Sequence, residues 1–175
     1  MATKTVSCTI RGISPLLMHR FPVEPVTALE KKTPEEQAEI AAYRDPDGRL
    51  FIPGIAFRQA LVSGATYSKG KGRSSLQKPV AACVMVTEDR MVLDVQEFTV
   101  DARPVVVPAT KGRVMRFRPR FDQWSVTAEI EYDPDLLTEQ QLRQVVDDTG
   151  KRVGLLDFRP ERKGMFGRFE VVRWA

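Results

Sequence analysis

A chain of 175 residues, 42% hydrophobic and 29% charged, has the bulk for one buried core and the composition of a folded domain, which excludes a disordered or fibrous protein. Its longest apolar runs, such as PVAACVMV at 79–86, are too short for a membrane span, and the N-terminal MATKTVSC lacks an apolar signal core, so the expected setting is cytoplasmic and away from membranes. Two cysteines and one histidine cannot furnish a zinc site, and Cys8 and Cys83 read as reduced, buried thiols.

In KTVSCTIRG the alternation of Val6, Cys8 and Ile10 against Thr5, Ser7 and Thr9 predicts a half-buried strand that stops at Gly12 and Ser14-Pro15. Residues from about 20 to 50 read as an insertion with one short helix, capped by Thr33 and opened by Pro34, and a closing Asp45-Pro46-Asp47-Gly48 turn. LFIPGIAFRQAL predicts a short extended piece and then a helix with Phe57, Ala60, Leu61 and Gly64 inward and Arg58 and Gln59 outward. SKGKGRSSLQK reads as a mobile basic loop and VAACVMV as a buried strand.

EFTVDARPVVV and WSVTAEIEYD alternate as strands, with Phe98, Val100 and Ala102 inward in the first and Val126, Ala128 and Ile130 inward in the second. Between them lies an arginine-rich hairpin at about 104–123. LTEQQLRQVVDDTG is the best-marked helix, with a Thr138/Gln141 capping box, a Leu137–Leu142 staple and Gly150 as its stop. RFEVVRW closes the chain as a strand. The order strand, helix, strand, strand, helix, strand predicts an α+β, ferredoxin-like (βαββαβ) domain over 1–175, an antiparallel sheet with both helices on one face.

Positive charge is segregated. Arg58 to Thr87 holds no acidic residue but Arg58, Lys69, Lys71, Arg73 and Lys78; Ala102 to Phe121 holds none but Arg103, Lys111, Arg113, Arg116, Arg118 and Arg120. Such blocks, set between neutral or acidic strands, suggest a polyanion-binding surface. The outward strand positions Thr5, Ser7, Thr9, Thr99, Asp101, Ser125, Thr127, Glu129 and Glu131 offer no aromatic for base stacking, which argues against an RNA-recognition motif. Recognition would then fall to loops. In RPERKGMFGRF, Gly164 and Gly167 are expected to take positive φ and expose N–H groups to phosphate, with Arg159, Arg162, Lys163 and Arg168 adding charge. In KGRVMRFRPRF, Arg116, Arg118 and Arg120 alternate with Met115, Phe117 and Pro119, a ribbon that could lie along a single strand with Phe117 stacking on a base.

IRGISPLLMH, LFIPGIAFRQAL and GLLDFRPERKGMFGRFEV, in this order, resemble the first strand and turn, the strand-to-helix signature and the glycine-rich loop of the RAMP superfamily of CRISPR-associated proteins. The resemblance implies a ferredoxin-like core with that loop between its last helix and last strand. It also implies RNA binding, as a backbone subunit coating a guide beside copies of itself or other effector subunits, or as a metal-independent endonuclease. Arg58 keeps the signature's basic position. Ile55 and Ala56 stand where two serines are usual, and Gln59 where a glycine is usual.

Single-stranded RNA or DNA is therefore the expected partner, RNA favoured, with no cofactor and no metal. No carboxylate cluster suits two-metal chemistry and no glycine loop precedes Lys-Ser/Thr, which argues against NTP hydrolysis. His19, the lone histidine, is the one candidate for general acid–base cleavage, with Lys, Tyr43 or Tyr67 as a second group. A basic surface docking on an acidic protein is the third reading.

Overall fold

The computed structural model describes residues 2–23 and 25–175. The first strand, β1 (Lys4–Gly12), lies at the centre of an antiparallel sheet. Two-residue β2 (Leu16–Leu17) follows, then α1 (Val26–Leu29) and α2 (Pro34–Ile40). The Thr33 hydroxyl accepts from Glu36 N–H while the Glu36 carboxylate accepts from Thr33 N–H, a full capping box ahead of Pro34. The DPDG turn forms as expected, with Asp45 accepting from the N–H groups of Asp47 and Arg49 and Gly48 at φ +80°.

Strand β3 (Phe51–Pro53) runs into α3 (Gly54–Gly64), which buries Phe57, Ala60, Leu61 and Gly64, the predicted inward positions. VAACVMV departs from expectation. Its first half belongs to α4 (Gln77–Cys83), and only β4 (Met85–Val86) is strand. A short uninterrupted apolar run has no period with which to tell a buried helix from a buried strand. β5 (Arg90–Val92) pairs with β3 in a separate ribbon.

β6 (Thr99–Val106) and β7 (Arg113–Phe121) form the hairpin, and β8 (Ser125–Tyr132), α5 (Glu139–Arg152) and β9 (Phe169–Trp174) complete the chain. The principal sheet has the order β4-β8-β1-β9, the strand order of the split βαβ arrangement. Its second core strand is therefore β4. The predicted EFTVDARPVVV strand instead enters a second sheet of order β2-β7-β6.

Pairing of Cys8 with Ala128 puts Val6, Cys8 and Ile10 level with Ile130, Ala128 and Val126 on one face, against α3 and α5. The other face carries Thr9 and Thr127, whose hydroxyls lie 2.9 Å apart, with Ser7, Glu129, Thr5 and Glu131 along the same two strands. Thr99 and Asp101 are not part of it. In β6 the predicted alternation is inverted: Ala102 is exposed and Asp101 is 6% exposed, because Arg103 and Arg120 reach its carboxylate and draw that face inward.

α5 has both capping-box bonds of Thr138 and Gln141, but Gly150 does not end it. The helix runs to Arg152 and stops at Gly154, at φ +75°, whose N–H bonds back to the Thr149 carbonyl at 2.9 Å. Gly150 serves close approach: a Cβ there would lie 2.2 Å from the Phe169 carbonyl oxygen. Among the described residues no helix is long and apolar enough to cross a membrane, and the cysteines are free, Cys8 buried and Cys83 half-buried.

Candidate nucleic-acid interface

The glycine-rich segment lies between α5 and β9, the place its sequence resemblance implies. Its backbone is unusual. Leu156, Phe158 and Lys163 adopt φ of +59°, +50° and +63° alongside Gly154 and Gly167 at +75° and +73°. Left-handed non-glycine residues cost on the order of 1–3 kcal/mol each and persist only where surrounding contacts impose them. Those contacts are backbone bonds: Leu155 N–H to Gly167 O at 2.9 Å, Asp157 N–H to Leu17 O at 3.1 Å and Phe166 N–H to Phe158 O at 3.1 Å.

The two glycines singled out from sequence do not present free N–H groups. Gly164 donates to Arg159 O at 3.0 Å and Gly167 to Pro15 O at 2.7 Å. Gly164 has no positive φ; the left-handed residue is Lys163, and a Cβ on Gly164 would lie 1.7 Å from the Phe158 carbonyl oxygen. Glycine is needed here so that the loop can cross itself. The expected amide cradle for phosphate is therefore not formed at these two positions.

The arginines divide into those already engaged and those left open. Arg118, 6% exposed, is ion-paired with Asp157 of the loop. Arg103 holds Asp101 through two hydrogen bonds and stacks on Phe166 at 4.7 Å; Arg120 pairs with Asp122 at 2.8 Å and stacks on the same ring at 5.7 Å. The basic face of the hairpin is thus turned onto the glycine-rich loop, and Arg118 and Arg120 do not line a free ribbon. Arg159 donates to the Glu161 carboxylate and to Leu156 O, and Arg168 donates from Nε to Lys151 O at 3.2 Å.

Arg58 does not point free into solvent either: it donates to the carbonyls of Val84 and Ala81, capping the C-terminal end of α4. Lys69, Lys71, Arg73, Lys111, Arg113, Arg116, Arg162 and Lys163 have no ion pair among the described residues. Of these only Arg116 is half-buried; the rest are exposed. The basic loop closes as a turn, with Lys69 bridging Ser75 and Gly70 N–H bonded to Ser74 O at 2.9 Å.

Of these open cations, Arg116, Arg162 and Lys71 line clefts, several of which share lining residues. The central one, about 450 Å³, is lined among others by His19, Tyr43, Gln59, Ser63, Asp157, Arg159 and Arg162. It shares His19 with a small cleft beside Arg20, Arg116 and Phe117, which in turn shares Arg116 and Phe117 with a groove of about 230 Å³ along β7. At the other end it shares Ser63 and Glu161 with a pocket of about 200 Å³ at Tyr67 and Gln77. Leu76 and Lys78, the neighbours of Gln77, line a further cleft of about 560 Å³ with Lys71. The hairpin and the glycine-rich loop, far apart in sequence, therefore border clefts that share lining residues, and the basic loop borders a cleft next to the Tyr67 pocket.

His19 lies in its middle, with Nδ1 3.7 Å from the Asp157 carboxylate. Burial holds its pKa below the ordinary value; Asp157 opposes this, and Arg118 and Arg116 reinforce it, so the ring is neutral at pH 7. Burial likewise keeps Tyr43 protonated well into alkaline pH. The roles of Asp157, Gln59 and Ser63 in this cleft carry no spacing signal in the sequence, since the fold alone brings them together. Among the described residues no group of acidic, histidine or cysteine side chains is arranged to hold a metal.

No protein-family model matches the chain, and no curated protein matches it. Among solved structures, the crystal structure of Cmr6 from Pyrococcus furiosus aligns over 98% of this chain and 99% of that one, at 11% identity and a TM-score of 0.48. A likeness that distant carries no argument about function.

Proposed function

We propose that this chain, as one domain, binds single-stranded nucleic acid without cleaving it, in a trough made up of the neighbouring clefts at the β6–β7 hairpin, the glycine-rich loop and the 69–78 loop. The observation that carries this reading is the series of neighbouring clefts together with the unpaired cations that line them, Arg116, Arg162, Lys71 and Lys78, with the exposed Lys163 next to Arg162 in the chain. A phosphodiester chain needs spaced positive charge more than a single deep pocket, and Phe117 and Tyr67 border the trough as stacking surfaces. RNA is favoured over DNA, in a ribonucleoprotein of the CRISPR type with copies of itself or other subunits, on the three RAMP-like motifs. All three of those motifs border the central cleft, at His19, at Ala56, Gln59 and Ala60, and at the glycine-rich loop.

Fluorescence anisotropy with labelled RNA and DNA strands tests this across a salt series. Binding should weaken steeply with salt, and Arg162→Glu/Lys163→Glu should lower affinity and flatten the slope of log K against log salt by about 1.4, the value for two lost phosphate contacts on a single strand. If neither strand binds at low salt, the reading is wrong and an acidic protein partner takes its place. The pairing of His19 with Asp157 favours one second reading, cleavage of RNA with His19 as general base. A denaturing gel of the same mixtures decides: an intact strand supports binding alone, whereas cutting that His19→Ala abolishes without loss of affinity supports the nuclease.

A further inference from the structure

One charge in the trough has the wrong sign for a phosphate. Glu161 lies on the ridge shared by the central cleft and the 200 Å³ pocket at its end. Burial alone would raise its pKa, but the Ser63 hydroxyl and the Arg159 and Arg162 guanidiniums outweigh that and hold it below the ordinary value. Arg159 fixes it by a hydrogen bond of 2.9 Å from Nε and an ion-pair contact of 2.8 Å, both to Oε2, and the carboxylate's four lone-pair sites leave acceptor capacity beyond Arg159 and Ser63. A fixed carboxylate repels a phosphodiester backbone, so what it meets in a strand lying in this trough must be a group that donates hydrogen bonds.

The same pocket holds an exposed aromatic. Tyr67 is 55% exposed, and the Arg152 guanidinium lies 5.6 Å from its ring centroid. Arg152 is held by Asp148, which also accepts from the Ser68 hydroxyl at 2.7 Å, so the ring is backed by an ordered cation. An aromatic surface supported in this way suits stacking of a planar heterocycle. The exposed Gln77 side chain on the rim adds an amide that can donate and accept.

Resting on the trough as the path of a single strand, we infer that the Tyr67–Glu161 pocket takes one guanine base from that strand, stacked on Tyr67 with its Watson–Crick edge on the Glu161 carboxylate. Among the four RNA bases, guanine alone offers two adjacent N–H donors on that edge, a match for the two oxygens of a carboxylate. Uracil offers one donor flanked by acceptors. Cytosine and adenine place an acceptor beside their amino group.

The test compares a uridine oligomer of about 30 nucleotides with one of the same length carrying a guanosine at every sixth position, long enough to fill the trough in any register. The guanosine-containing strand should bind about tenfold tighter, the worth of one good bidentate base contact. Glu161→Gln should erase that preference without weakening the uridine oligomer. This sign is diagnostic, since removing a negative charge would by electrostatics alone tighten both strands equally. Tyr67→Phe should keep the preference and Tyr67→Ala lose it, with circular dichroism confirming that each variant folds. If wild type binds both strands equally, or Glu161→Gln tightens both by the same factor, the guanine pocket is wrong and the trough reading survives. If wild type binds neither strand at low salt, both fail together.

Discussion

Replacing Asp157 by Asn removes the charge that answers Arg118 and isolates a guanidinium only 6% exposed, whose Nε already has no hydrogen-bond partner. Breaking a buried ion pair by deleting one partner costs about 3–5 kcal/mol. Asp157 is 29% exposed in its side chain, so solvent screens part of the pair and the expected loss falls to about 2–3 kcal/mol. For a chain of this size that is a fall in Tm of about 4–12 °C. The companion variant Arg118→Met/Asp157→Asn removes both charges while keeping most of the side-chain volume. It should melt above Asp157→Asn alone, because no uncompensated charge stays buried. Thermal melts followed by circular dichroism read both outcomes. Should Asp157→Asn melt with the wild type, or should the double variant be no better than the single, the hairpin and the glycine-rich loop are not joined by this pair.

Gly150→Ala would gain up to about 1 kcal/mol of helix propensity. The added Cβ, however, would meet the Phe169 carbonyl at 2.2 Å, and that residue is pinned by its pairing with Gly12. Overpacking of about 1–3 kcal/mol should win, giving a lower urea midpoint at unchanged m-value; a raised midpoint would contradict the close contact. At alkaline pH, burial pushes the Cys8 thiol from 9.0 up to about 12, Arg143 opposing and Asp147 adding to the shift. The folded state then binds the proton more tightly than the unfolded state. This contribution is complete below pH 9 and is lost as pH rises towards 12, by up to roughly 4 kcal/mol. Urea titrations between pH 8 and pH 11 should show the decline, and Cys8→Ala should flatten it despite its lower stability at neutral pH.

What the sequence determined by itself is local. Period-two alternation set the buried face of β1, and the apolar spacing in 54–64 set that of α3. Thr33 with Pro34, and Thr138 with Gln141, started two helices through hydrogen bonds spanning three residues. The same reach set the position of the glycine-rich loop between the last helix and strand. Where neighbours in sequence were silent, the reading failed. VAACVMV has no period, so its division between α4 and β4 came from packing. Asp101 turned inward because Arg103 and Arg120 met it, against the apolar alternation of its own strand.

Tertiary structure alone decided the rest. The reason for Gly150 lies in β9 and the reason for Gly164 in the Phe158 carbonyl, since what an absent Cβ would strike belongs to another part of the chain. It decided, too, which cations remain open. In sequence Arg116 and Arg118 look alike, but only Arg118 comes within reach of Asp157 and is neutralised. An ion pair acts over a few ångströms in space and carries no memory of separation along the chain. So the sequence could count the arginines, and only the fold could divide them between holding the loop and facing solvent.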